Sequence, residues 1–358
     1  MLGGSPTLIP AHPGNGAFFA ALQASLPFIE LRPFECPAGF VYLLVQGETD
    51  VKRPHFILNP AASAGETGRS QGRLLKLIED RFPEGFTLDI TTRPGHATEI
   101  TRKAISEGVE LIVAIGGDGT MNEVINGFFT KGKLLRKTPR LGLLCSGTAE
   151  DVVRNLGLPK SLKEQIEVTA GKRTRLIDLG KVTFTTKEGE KKERFYINDC
   201  NPGIAAKVVQ RVTPELKRLG GFLAFGLAST YTALTYRGHG MTITLDEEKT
   251  ISGRFLGVAV ANGRYAGGGM DFAPNSRMDD GLLDVVMIRD QSVPARLFNF
   301  PKIYSGKHIN LSWITYLQAR RVRIESNQRV ALEADGEWLG FLPCEVTLMP
   351  KALKICVG

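Results

Sequence analysis

The sequence is poor in the residues that form disulfide frameworks and metal sites. It has five cysteines, an odd number, and no two of them stand close enough for a CxxC pair. Its five histidines form neither a catalytic-triad pattern nor a metal-ligand pattern. We therefore expect a protein of a reducing compartment, with no disulfide framework and no structural zinc.

Long apolar runs are also scarce. The stretch from Leu219 to Tyr236 has no charged residue, but it carries several glycine, threonine, serine and tyrosine residues. A membrane span needs about 20 predominantly apolar residues, so we predict a buried or cleft-lining helix here rather than a span. Residues Met1 to Pro10 lack the basic start and apolar run of a secretory signal, which favours a cytoplasmic protein.

The remaining composition is that of an ordinary globular protein. The 358 residues are 42% hydrophobic and 23% charged, and this length is typical of two domains. The formal net charge is +8, which favours acidic partners: nucleic acid, an anionic membrane surface or phosphorylated substrates. Because the charges are spread along the chain and no nucleic-acid motif is present, we predict no nucleic-acid partner.

The pattern of strands and helices divides the chain into three parts. Residues 53–175 alternate short apolar strands with helices, which predicts an α/β domain with a doubly wound parallel sheet. Residues 176–358 hold strand candidates separated by Gly, Pro, Asn and Asp clusters, which predicts an antiparallel β-sandwich. Residues 1–52 form an extension of unknown role, in which Phe28 to Gln46 is either a strand pair or poorly ordered chain.

The most informative motif is the run Gly116-Gly117-Asp118-Gly119-Thr120. It follows the apolar strand ELIVAI and opens a helix. Glycines let the backbone approach phosphate oxygens, and a helix start presents free N–H groups to an anion. An aspartate inside such a loop repels phosphate unless Mg²⁺ lies between them. The motif therefore indicates a magnesium-bound nucleoside triphosphate, although a strand-to-helix turn without a ligand is the alternative.

From about Arg53 onward the sequence resembles the diacylglycerol kinase catalytic domain family, which includes bacterial diacylglycerol kinases and sphingosine and ceramide kinases. Beside GGDGT, the matching blocks are Asn59-Pro60, Gly147 to Asp151, Arg277 to Asp284 and Asp335-Gly336-Glu337. The resemblance implies an ATP-dependent lipid kinase with an α/β nucleotide domain and a C-terminal β-sandwich. Its cofactors would be ATP and Mg²⁺.

The resemblance also implies roles for individual residues. Glu337 is the expected general base, within an acidic network that includes Asp118, Asp151 and Asp178. A structural Mg²⁺ is expected at the side chain of Asp280 and the carbonyls of Arg277 and Leu282. The expected nucleotide-binding residues are Asn59, Thr91, Gly116, Gly117, Gly119, Thr120, Asn122, Glu123 and Thr148.

One position departs from the family pattern. The family usually has asparagine before the aspartate of its GTxND block, whereas this chain has Glu150. Glutamate cannot donate amide hydrogens, and it adds negative charge near phosphates. Glu150 leaves open a nucleotide-binding regulatory protein with weak or no catalysis, and the GGDGT motif leaves open an NAD kinase, a class that also carries it.

The expected substrate is a lipid that carries a hydroxyl group, and its identity is left open. The helix near Leu219 to Tyr236 is a candidate to line the path of the acyl chains. Because the chain is basic, we also expect peripheral contact with an anionic membrane, weakened by salt. The sequence makes no prediction of the oligomeric state.

Overall fold

The structure is a computed structural model. It describes the strands within residues 1–52, and then residues 53–62, 71–135, 139–145, 151–213, 216 and 221–358. The N-terminal strands form a small antiparallel sheet with β3 in the centre. This sheet includes the strand pair considered for Phe28 to Gln46. Its strands are Thr7–Ala11 (β1), Glu30–Glu35 (β2) and Val41–Gln46 (β3).

The α/β unit is built on four parallel strands in the order β9-β6-β4-β5. Their alternate side chains enter two apolar cores, one on each face of the sheet. Helices cover both faces, as a buried parallel sheet requires. Its elements are His55–Leu58 (β4), Gln71–Arg81 (α1), Thr87–Ile90 (β5), His96–Ser106 (α2), Leu111–Gly116 (β6), Asp118–Gly127 (α3), Phe129–Thr130 (β7), Lys133–Leu134 (β8), Arg140–Cys145 (β9), Asp151–Leu156 (α4) and Leu162–Ala170 (α5).

The C-terminal unit is an antiparallel sandwich around a separate apolar core. Two helices follow its third strand, and a third helix with two 3₁₀ turns follows β17. Its elements are Thr174–Thr185 (β10), Lys191–Tyr196 (β11), Asp199–Pro202 (β12), Ile204–Arg211 (α6), Gly221–Thr235 (α7), His239–Leu245 (β13), Lys249–Ala261 (β14), Tyr265–Ala266 (β15), Met270–Asp271 (β16), Leu283–Arg289 (β17), Val293–Asn299 (α8), Phe300–Ser305, Lys307–Asn310, Ile314–Ala319 (β18), Arg321–Glu325 (β19), Ala331–Ala334 (β20) and Glu337–Cys356 (β21).

The last strand joins the two units. β21 is 20 residues long and pairs with β10, β19 and β20 in the sandwich. Its end then runs parallel to β9, with Lys354 beside Arg140 and Ile355 beside Leu141. The backbone hydrogen bonds therefore continue from one unit into the other at the start of β9.

The uncharged stretch near Leu219 to Tyr236 contains the helix α7, which has 15 residues. At 1.5 Å per residue such a helix is roughly 22 Å long, shorter than the apolar core of a bilayer. Among the described residues, none of the helices has the length and apolar character that a membrane crossing needs.

Candidate active site

The glycine-rich loop lies where β6 ends and α3 begins, at the carboxyl edge of the parallel sheet. This edge is where open α/β sheets bind their ligands. A β-carbon on Gly116 would lie 2.6 Å from Thr120 Oγ1, so only glycine fits there. A β-carbon on Gly117 would meet open space within 4 Å. The loop is therefore packed on one side and accessible on the other.

Two neighbouring strands bring further predicted residues to the same edge. Asn59 follows β4, and its Nδ2 donates to Thr120 Oγ1 at 2.9 Å. Thr91 follows β5, and its backbone N–H donates to the carbonyl of Leu58 at 2.8 Å. The structure thus groups Asn59 and Thr120 by direct contact, and Thr91 lies on the adjacent strand.

The Glu123 carboxylate contacts the backbone of the segment that follows Thr91. Its Oε1 accepts the N–H of Gly95 at 2.8 Å, and its Oε2 accepts the N–H of Ala97 at 3.2 Å. A carboxylate at this place satisfies free N–H groups at the start of α2. Glu123 therefore holds the segment after Thr91 against α3.

Asp118 and Asp151 form a buried acidic pair beside the loop. The N–H of Asp151 donates to Asp118 Oδ2 at 3.4 Å, while Asp118 Oδ1 has no hydrogen-bond partner among the described residues. Burial, with the Asp151 charge second, raises the pKa of Asp118 to about 7. Burial also raises the pKa of Asp151. Two such carboxylates favour a cation or a proton between or beside them.

Asp151 is held from the other unit. The backbone N–H groups of Gly268 and Gly269 donate to its two carboxylate oxygens at 2.7 and 2.8 Å. Arg154, one turn further along α4, donates to Oδ1 at 3.0 Å. The loop between β15 and β16 therefore fixes this aspartate from across the cleft.

Glu337 lies opposite the glycine-rich loop, although 217 residues separate it from Thr120. A β-carbon on Gly119 would lie 3.4 Å from Glu337 Oε1. The Glu337 side chain is 38% exposed and accepts a hydrogen bond from Arg194 Nη2 at 2.6 Å. Glu337, the residue expected as general base, therefore lies beside Gly119 of the GGDGT loop.

A polar network behind Glu337 connects the two units. Arg194 Nε donates to Asn122 Oδ1 at 2.9 Å, and Asn122 Nδ2 donates to Asp335 Oδ2 at 2.6 Å. Asp335 also accepts the N–H groups of Ile197 and Asn198, both at 2.8 Å. The polar side chains of this network are hydrogen-bonded to one another, so the network fixes the position of Glu337 relative to α3.

Sequence reasoning missed several members of this region. Arg194 belongs to a basic run that is more often a solvated face, yet it is turned toward Glu337. Asp199 and Glu333 are buried and share the Asn201 amide as donor. Burial raises the pKa of Asp199 to about 7 and raises the pKa of Glu333 as well. No motif in the sequence marked these residues, because only the fold brings them together.

Asp178 lies apart from this pair, on β10 beside the loop that is expected to hold a structural ion. Its Oδ2 accepts the N–H of Gly281 at 2.8 Å, and its Oδ1 accepts the N–H of Lys351 at 2.6 Å. Asp280 Oδ1 accepts the N–H of Leu282 at 3.1 Å. Burial, with the Asp178 charge a smaller cause, raises the pKa of Asp280. Arg277 lies in the same loop, next to Met278, whose carbonyl accepts the N–H of Asp178.

Thr148 lies outside the described residues, together with Gly147 and Glu150. Among the described parts of the chain, no group of three or more His, Cys, Asp or Glu side chains is arranged to hold a metal.

Comparison with known proteins agrees with this architecture. Residues 53–182 match the Diacylglycerol kinase catalytic domain, and residues 200–357 match the YegS C-terminal NAD kinase beta sandwich-like domain. The Diacylglycerol kinase of Bacillus subtilis (strain 168) is 30% identical over 297 residues, covering 82% of this chain and 93% of that protein. The chain belongs to the diacylglycerol kinase family.

A second curated relative and a solved structure are also similar to this chain over most of its length. A protein of Chromohalobacter salexigens named "Probable lipid kinase YegS-like" is 30% identical, with 74% of this chain and 81% of that protein covered. The crystal structure of a diacylglycerol kinase from Bacillus anthracis str. Sterne superposes with a TM-score of 0.64 at 23% identity. That superposition covers 87% of this chain and 98% of the other, so the fold of the α/β unit and the sandwich is shared.

Proposed function

We propose that this diacylglycerol kinase family member transfers the γ-phosphoryl group of ATP to the hydroxyl of a lipid such as diacylglycerol. The observation that carries the proposal is the position of Glu337, which faces Gly119 in the glycine-rich loop from the opposite unit. A carboxylate at this place can accept a proton from an alcohol whose oxygen approaches a phosphate held by the loop.

The loop supplies the nucleotide end of the reaction. Gly116, Gly117, Gly119 and Thr120 would present backbone N–H groups and a hydroxyl to phosphate oxygens at the start of α3. Asn59 positions Thr120 by its hydrogen bond, and Glu123 and Asn122 hold the neighbouring segments. Thr91 and Thr148 remain proposed nucleotide contacts.

The buried acids fit a divalent cation. Asp118 has one buried carboxylate oxygen without a partner among the described residues, and its pKa is raised to about 7 by burial and by Asp151. A cation would remove this unfavourable charge, and oxygen ligands are those that Mg²⁺ prefers. Mg²⁺, when bound, would supply charge neutralisation for the phosphate oxygens. The residues of this chain that would hold it are Asp118 and Asp151.

Glu337 performs the proton transfer in this proposal. The lipid hydroxyl gives its proton to Glu337 as its oxygen forms a bond to the γ-phosphorus, and the bond between that phosphorus and the β,γ-bridging oxygen breaks to release ADP. Arg194 orients the carboxylate through its 2.6 Å hydrogen bond to Oε2, which leaves Oε1 directed toward the loop. The exposed fraction of Glu337 gives the acceptor access from solvent or from a membrane surface.

Asp178 and Asp280 would have a supporting role. Their carboxylates brace the loop from Arg277 to Leu282 through backbone N–H groups. The raised pKa of Asp280 fits a second, structural Mg²⁺ bound by its side chain and by the carbonyls of Arg277 and Leu282. Asp178 lies in this loop network, so we propose a structural rather than catalytic role for it.

A lipid-acceptor assay tests the proposal. Purified protein is incubated with γ-labelled ATP and Mg²⁺, and in parallel with diacylglycerol, phosphatidylglycerol, a monoacylglycerol, a sphingoid base and NAD. We expect label in one or more lipids and none in NAD. Label in NAD alone would replace the proposal by the NAD kinase alternative, and nucleotide binding without transfer to any acceptor would indicate a regulatory relative.

A further inference from the structure

The helix α7 presents an outer face that has no charge. Four of its large apolar side chains are about half exposed: Leu223 at 52%, Leu227 at 49%, Tyr231 at 58% and Leu234 at 47%. Their spacing places them on one side of the helix, while Ala224, Ala228 and Thr232 on the other side are buried. Exposed apolar residues grouped in this way indicate an interaction surface rather than scattered surface positions.

The hydroxyl groups on this face are already satisfied within the helix. Thr230 Oγ1 donates to the carbonyl of Gly226 at 2.9 Å, and Thr235 Oγ1 donates to the carbonyl of Tyr231 at 2.8 Å. A hydroxyl that donates to its own helix loses less when water is removed. These two threonines can therefore leave water for an apolar environment without losing a hydrogen bond from their hydroxyl groups.

A second apolar segment lies beside the end of α7. The residues from Val293 to Ser305 include no buried side chain, and Phe298 is 80% exposed. Leu297, Phe300 and Tyr304 are also exposed. Arg296 attaches this segment to α7, because its Nη1 donates to the carbonyls of Ala233 and Tyr236 at 3.3 and 2.5 Å.

The unpaired charges at the rim of the second segment are basic. Between Gln291 and Trp313 the sequence has no aspartate or glutamate, and it has Lys302 and Lys307, whereas Arg296 is paired with Asp290 at 2.8 Å. Lys302 Nζ lies 5.9 Å from the ring centre of Phe298. At the edge of α7, the Arg211 guanidinium lies 4.6 Å from the ring centre of Tyr231. Apolar side chains with basic residues at their rim fit a surface that is apolar inside and anionic outside.

The surface is close to the candidate active site. A β-carbon on Gly267 would lie 3.8 Å from the ring of Phe225, which belongs to α7. The next two residues, Gly268 and Gly269, hold Asp151 by their N–H groups. Only one loop therefore separates the apolar helix from the acidic pair.

From these observations we infer that the outer face of α7 and the Val293–Ser305 segment, which together we name the apolar face, dock on an anionic lipid bilayer. A second copy of this chain fits less well, because its own face would bring the same basic rim into contact. The inference rests on the proposed function in one respect: the bilayer would hold the lipid that accepts the phosphoryl group. Docking would place α7, which contacts the loop that holds Asp151 through Phe225, at the bilayer surface.

Vesicle binding without ATP tests the inference. Protein is sedimented with phosphatidylcholine vesicles that do or do not contain phosphatidylglycerol. We expect binding to the anionic vesicles that weakens with salt. Phe298→Ser should lower the partition coefficient about tenfold, since burial of one large apolar side chain is worth roughly that factor. The double variant Leu227→Ser/Phe298→Ser should lower it by about a hundredfold, by the same reasoning.

Matched variants distinguish vesicle binding by the apolar face from non-specific vesicle binding. Leu135 is 41% exposed in the α/β unit, so Leu135→Ser should bind vesicles like the unchanged protein. Lys302→Glu should reduce binding to anionic vesicles and leave binding to phosphatidylcholine unchanged. Thermal unfolding is measured for every variant, and because these side chains are exposed, the melting temperature should not fall.

The outcomes distinguish docking from catalysis. Equal vesicle binding by the double variant and the unchanged protein would overturn the inference. The inference would also be overturned if the double variant changed only the mass of the protein in sedimentation without vesicles and left vesicle binding unaltered. With a short-chain, water-soluble diacylglycerol the single variant Phe298→Ser should keep the unchanged turnover, because Phe298 is 80% exposed and lies outside α7. If no lipid is phosphorylated but the vesicle results hold, the proposed function fails and the docking surface stands.

Discussion

Replacing Asp118 by asparagine should abolish phosphoryl transfer and stabilise the fold. The Asp118 carboxyl has a pKa raised to about 7 from its ordinary value of 3.8, chiefly by burial and then by the Asp151 charge. A difference of three units corresponds to about 4 kcal/mol between the two protonation states. At neutral pH the charged form of Asp118 lowers the free energy of unfolding of the wild-type protein by much of this amount, whereas Asp118→Asn has no charge at this position.

The sign of the pH dependence follows from the direction of the shift. Because the pKa of Asp118 is higher in the folded protein than in the unfolded chain, its contribution to stability is complete below about 3.8 and is lost as the pH rises toward about 7. From about pH 5 to about pH 8 the wild-type protein should lose about 3 kcal/mol relative to Asp118→Asn.

Denaturant unfolding in the presence of a chelator measures this difference. The free energy of unfolding is obtained for both proteins at the two pH values, with the exposed residue Asp80 changed to Asn as the control. Mg²⁺ with nucleotide should stabilise the wild-type protein more at the higher pH and should have little effect on Asp118→Asn. Equal pH dependence of the wild-type and Asp118→Asn proteins would refute the reasoning about the buried acidic pair.

Three further predictions concern the surrounding contacts. Asn122→Ala should lower the free energy of unfolding by about 1–3 kcal/mol, because Asp335 and Arg194 each lose a buried partner, and denaturant unfolding would show it. Arg194→Met should lower kcat about tenfold or more with little change in KM for ATP, since Glu337 loses its orientation; equal kcat would contradict this. Asp280→Ala should lower the melting temperature and make it insensitive to Mg²⁺, whereas unchanged melting with and without chelator would exclude an ion in that loop.

Much of the α/β unit could be predicted from local pattern. The sequence pattern predicts a helix from His96 to Ser106 and a strand from Arg140 to Cys145, and both elements have these bounds in the structure. Short apolar strands and periodic helices can be predicted in this way because their patterns follow burial directly. The strand-loop-helix order around GGDGT also predicts that this loop lies at the carboxyl edge of the parallel sheet, and the structure has it between the end of β6 and the start of α3.

The end of the sandwich was less predictable. The sequence pattern predicts two separate strands here, Glu345 to Met349 and Leu353 to Val357, with Pro350 between them. The structure has one strand, Glu337–Cys356, whose pairing with β10 is interrupted near Pro343 and Pro350. Proline lacks an N–H donor and is tolerated at such irregularities, so a long strand can carry it.

The polar partners of the site could not be predicted from the sequence. Arg194 stands in a basic run typical of solvated surface, and only the pairing of β10 with β11 turns it toward Glu337. Asp199 and Glu333 carry no motif, and they meet because β12 pairs with β20. Contacts between distant segments depend on sheet register, and local pattern does not encode it.

The most direct test of the proposed activity compares the wild-type protein with Glu337→Gln in a labelled transfer assay. Glutamine keeps the size of the side chain but cannot accept a proton. A positioned general base contributes about 10²–10⁴-fold, so transfer from γ-labelled ATP to the best lipid acceptor should fall within that range. The affinity for ATP should barely change. Transfer by Glu337→Gln at nearly the wild-type rate would contradict the account, because the base would then lie elsewhere.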